Sequence, residues 1–104
     1  MCYGCWEEAG KPKIDNERVQ RAVASVKALY DVHGAGGGMH IVTDDWNCDD
    51  GNVAWCREWM AGPDMRKMWD RDADALEMEC LAAFEALSAD ERYSALAIEY
   101  GFTD

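Results

Sequence analysis

Val19, Ala22, Val23, Val26, Leu29 and Tyr30 recur three or four residues apart, the spacing that gathers side chains on one face of an α-helix. Arg18, Arg21 and Lys27 fall off that stripe, and Asp15 or Asn16 can cap it, so a helix is predicted from there to about Val32. Gly34-Ala35-Gly36-Gly37-Gly38 then stops it, since each glycine costs about 1 kcal/mol relative to alanine inside a helix. Met39-His40-Ile41-Val42 reads as a short strand with His40 on the face opposite Met39 and Ile41. After an acidic loop from Thr43 to Asp50, Val53, Cys56, Trp59 and Met60 return to helical spacing until Gly62-Pro63. A longer helix is predicted from about Asp64 to Leu87 on the stripe Trp69, Ala73, Leu76, Cys80, Ala83 and Leu87. Ser88 with Glu91 makes a capping box for a last helix carrying Tyr93, Leu96, Ala97 and Tyr100, which Gly101 ends. The pattern predicts a mainly α fold, α+β at most: one compact domain over 1–104, of about four helices with one short strand or small sheet.

Composition supports a folded chain, because 49% of the 104 residues are hydrophobic and five are Trp. Residues 1–13 contain no apolar run of the signal-peptide kind, and nowhere do 18 apolar residues follow one another, so a soluble, cytoplasmic protein away from membranes is expected. Five cysteines without an export signal favour thiols or metal ligands over a disulfide framework. The net charge of −11 is placed unevenly. Residues 1–43 balance to zero, whereas residues 44–104 hold 16 acids against 5 bases. Such a surface repels a phosphate backbone, which argues against direct nucleic-acid binding and in favour of a basic protein partner.

Candidate chemistry begins at Cys2-Tyr3-Gly4-Cys5, half of a zinc-type ligand spacing. Cys2, Cys5, His40 and either Cys48 or Cys56 would complete a tetrahedral structural site and clip the N-terminus to the fold. The competing reading leaves Cys2 and Cys5 as surface thiols near a frayed terminus. Cys80 lies on a core stripe and reads as a small hydrophobe; His33 reads as a cation favoured by a helix C-terminus. Asp44, Asp45, Asp49 and Asp50 lack EF-hand spacing, and caps with a solvated loop explain them more simply than a site. A metal-dependent hydrolase or nuclease centred on His40, Asp44 and Asp45 is the alternative they allow. The glycine run is no P-loop, since no Gly-Lys-Ser/Thr follows it, and the cysteine pair lacks the βαβ setting of a thioredoxin-type motif. On the long helix, Asp70, Asp74, Glu77 and Glu85 share the face opposite Trp69 and Leu76, with Leu81 among them. An exposed Leu81 ringed by carboxylates would suit a basic partner with a central apolar contact; the plainer reading is a solvated face.

Cys2-Tyr3-Gly4-Cys5-Trp6-Glu7-Glu8-Ala9-Gly10, Gly37-Gly38-Met39-His40-Ile41-Val42 and Asp44-Asp45-Trp46-Asn47 resemble a small protein family of tailed phages and prophages. Ser94-Ala95-Leu96-Ala97-Ile98 before Gly101 is similar to the endings of such proteins, and the four stretches touch about a quarter of the chain. The resemblance implies a phage accessory protein and no particular reaction. An aromatic-Cys pair of the family pattern matches Trp55-Cys56, which favours Cys56 over Cys48 as the fourth zinc ligand. By class, small acidic phage proteins include anti-CRISPR and anti-restriction inhibitors that occupy basic nucleic-acid grooves of the bacterial host. A structural or regulatory phage subunit is the remaining alternative.

Overall fold

The computed structural model describes residues 3–34, 58, 60, 61 and 74–103. Among the described residues, the helices with both ends described are α1 (Tyr3–Glu8), α2 (Glu17–His33), α3 (Ala75–Glu85) and α4 (Ala89–Tyr100). The described residues contain no strand, and the fold is mainly α, as the hydrophobic spacing predicts. The expected strand 39–42 lies outside the described residues, as does most of the expected helix around Val53–Met60, of which Glu58 and Met60 are helical.

Caps set the helix ends. Asn16 has extended backbone, and its side chain accepts the Val19 N–H at 2.9 Å, which supplies one of the four donors a helix start leaves unbonded. Gly34 closes α2 at φ 71° while its N–H donates to the Tyr30 carbonyl, and Gly101 closes α4 in the left-handed region at φ 72°, where a side chain is disfavoured. Ser88 and Glu91 form the expected reciprocal capping box.

The single helix expected from Asp64 to Leu87 is corrected. Asp74 is extended at ψ 179° and forms a second capping box with Glu77, so α3 begins at Ala75 and ends at Glu85. An aspartate whose carboxylate takes the N–H three residues on competes directly with the helical hydrogen bond its backbone would otherwise make.

α2 packs against both α3 and α4. Val19, Ala22, Val23, Val26 and Leu29 are buried against Cys80, Leu81, Phe84 and Leu87 and against Ala95, Leu96 and Ala97. The α2 stripe is therefore the one its spacing predicts, with Tyr30 half-buried at its edge.

The N-terminal segment is built into the same core. Cys5 and Trp6 are buried in α1, and the Trp6 indole N–H donates to the Pro12 carbonyl at 3.0 Å. Gly10 at φ 93° and Lys11 at φ 51° turn the chain. Ile14 N–H then donates to the Ser94 hydroxyl at 2.9 Å, a bond between residues 80 positions apart. Tyr3, Trp6 and Phe102 pack ring against ring, and Tyr100 stacks on Phe102. The frayed-terminus reading of this segment does not hold for Tyr3–Glu8.

Candidate functional site

Between residues 74 and 103 the chain has seven carboxylates and one base, Arg92. Arg92 is only 2% exposed, and its Nε donates to the Phe84 carbonyl at 3.0 Å. Burial lowers its pKa, which the neighbouring charge of Glu85 opposes. No base of α3 or α4 thus reaches solvent, whereas Asp74, Glu79 and Asp90 are exposed. The exposed charges that α3 and α4 themselves carry are all carboxylates, while Arg18 and Arg21 of α2 line the same groove as Glu79.

This face differs from the expected one. Leu81 is 1% exposed and sits in the core, and Glu77 is 2% exposed, so there is no exposed leucine inside a ring of acids. The start of α3 at Ala75 and its packing against α2 fix which side faces inward, and Leu81 and Phe84 occupy it. Asp74 is exposed but committed to the cap, Glu85 is half-buried, and Asp70 lies outside the described residues.

Of the expected zinc ligands, only Cys5 lies among the described residues. Cys5 is buried beside Trp6; Cys2, His40, Cys56 and the alternative Cys48 lie outside, as do Asp44, Asp45, Asp49 and Asp50. Cys80 is fully buried as expected, and desolvation pushes its thiol up to about 12 against a hydrogen bond from Ser25. A thiol so protonated is no nucleophile at neutral pH.

Two arrangements were not foreseen. Glu91 accepts from Asn16 Nδ2 at 2.9 Å and from Arg18 Nε and a terminal guanidinium nitrogen at 3.1 and 2.9 Å, tying the start of α4 to the start of α2. The capping role of Glu91 was legible in sequence, but its partners 73 and 75 residues away carry no local signal. At the other end His33 Nε2 stands 2.6 Å from Asp74 Oδ2. The Glu77 backbone N–H is the main cause of a lowered Asp74 pKa, which burial opposes and the His33 charge assists. His33, Asp74 and Glu77 are the mixed nitrogen and oxygen donors that converge among the described residues.

A groove of about 560 Å³ runs between α2 and α3, floored by Ala24, Ala28, Ala82 and Ala83 with Arg18 and Arg21 along it. None of the described helices is long and apolar enough to cross a membrane. No protein-family model matches this chain, and neither does any curated protein or solved structure.

Proposed function

We propose that this protein works by binding, and that its partner is a basic protein surface of the kind that holds nucleic acid. The observation that supports the reading is the charge of α3 and α4, whose one base is buried while their exposed charges are all carboxylates. Such a face attracts Lys- and Arg-lined grooves and is repelled by phosphates. The resemblance to phage sequences supports a partner in the cytoplasm of a bacterial host, as part of a defence complex that handles nucleic acid. In that role the protein is an accessory inhibitor of the anti-CRISPR or anti-restriction type and no enzyme. Its contact surface is Asp74, Glu79, Asp90 and the outer edge at Glu85, in place of an apolar centre at Leu81.

The test is capture of host proteins from bacterial lysate by the tagged chain, with elution by salt and, separately, by short duplex DNA or RNA. Release of one nucleic-acid-handling complex by both, and its loss with the double variant Glu79→Lys, Asp90→Lys, is the expected result. Capture that ignores nucleic acid and survives charge reversal would overturn the reading.

A further inference from the structure

His33 is the last residue of α2, Asp74 caps α3 and Glu77 lies in the first turn of α3. One imidazole nitrogen and one oxygen from each carboxylate all lie within 4.8 Å of one another. Their positions are held in advance. Asp74 Oδ1 accepts the Glu77 N–H at 2.8 Å, Glu77 Oε1 accepts the Asp74 N–H at 3.2 Å, and Glu77 is buried. A carboxylate offers about four lone-pair sites, so these capping bonds and ligation of an ion can coexist. The end of α2 adds the partial negative charge of its last carbonyls. The start of α3 opposes that with about half a positive charge, which two full carboxylate charges exceed.

From this juxtaposition we propose that His33, Asp74 and Glu77 form a binding site for a divalent ion of the zinc type. One imidazole and two carboxylates are a donor set that suits zinc, and three protein ligands leave a fourth position for solvent. Ligation of the ion replaces the direct His33 Nε2–Asp74 Oδ2 contact. The site joins the end of α2 to the start of α3 and shares Asp74 with the proposed contact surface, whereas His33 and Glu77 lie outside it. It is also chemically distinct from a cysteine-ligated clip, because no thiolate takes part.

The test is titration of the reduced, full-length chain with zinc chloride while the imidazole nitrogens of its two histidines are followed by NMR, His33 being assigned from the variant His33→Gln. A shift of His33 Nε2 to the metal-bound position is expected. Glu77→Gln, which keeps the capping geometry, is expected to weaken binding at least about tenfold, with circular dichroism confirming that both variants fold. Cobalt substituted for zinc should give a spectrum in which His33→Gln removes visible bands without touching any thiolate-to-metal band. An unmoved His33 at saturating zinc, or unchanged affinity in both variants, would overturn the site. So would binding that perturbs only His40 and the cysteines.

Discussion

Glu91 ties the start of α4 to the start of α2 through Asn16 and Arg18. Its carboxyl is held down to about 2, first by the Asn16 side-chain amide, then by the Ser88 backbone N–H and the Arg18 guanidinium, with desolvation opposing them. A carboxyl whose folded value lies below its ordinary 4.5 contributes stability that is present above the ordinary value and lost as pH falls through the folded one. Denaturant midpoints should therefore decline between pH 4.5 and 2, and more shallowly in Glu91→Gln. At neutral pH that variant should be less stable by about 1.5–3 kcal/mol, the range for hydrogen bonds to charged groups, with the exposed side of Arg18 placing it toward the lower end. Equal acid sensitivity in both proteins would assign the effect to other carboxyls. Cys80 makes a second check. Buried and protonated, it should resist alkylation at pH 8 in the native protein and react only as fast as the core opens, which peptide-resolved mass spectrometry would measure.

At the scale of elements, local hydrogen bonding settles the helix limits and hydrophobic spacing settles which faces turn inward. Ser88→Ala removes one side of the α4 capping box and should cost about 1 kcal/mol, read as a lower thermal midpoint and faster amide exchange at Asp90 and Glu91. Gly101→Ala meets no atom within 4 Å of the new Cβ, so its expected loss of about 1 kcal/mol comes from the left-handed backbone alone. The stripe of α2 and the caps at Asn16, Ser88 and Gly101 were legible because each depends on neighbours within four residues. Asp74 and Glu77 carry the same local signature as Ser88 and Glu91. Yet the run of apolar positions from Trp69 to Leu87 continues in phase through the break, and periodicity alone cannot see a cap inside a stripe. α1 escaped notice for the opposite reason. Six residues are too few for a helix to stand on its own propensity, and burial of Trp6 against Phe102 and Tyr3 is what stabilises it. The inward turn of Leu81 likewise depends on α2, which no window around position 81 contains.

Over the whole molecule, charge and topology have separate effects. A net charge of −11, with only carboxylates on the outside of α3 and α4, makes the folded state repel itself, and salt screens that repulsion over about 10 Å at 0.1 M. Added sodium chloride should raise the thermal midpoint by roughly a few degrees. A fall would mean that ion pairs such as Arg18 with Glu91 outweigh the repulsion. Topology has a different outcome during synthesis. The interior of α2 is completed by Phe84, Ala95, Leu96 and Ala97, and Trp6 and Ile14 meet their partners at Phe102 and Ser94. A nascent chain that has released only α1 and α2 from the ribosome thus has an amphipathic stripe with nothing to cover it. Stable folding must wait until the last helix has emerged, and until then those early apolar residues are open to chaperones and proteases.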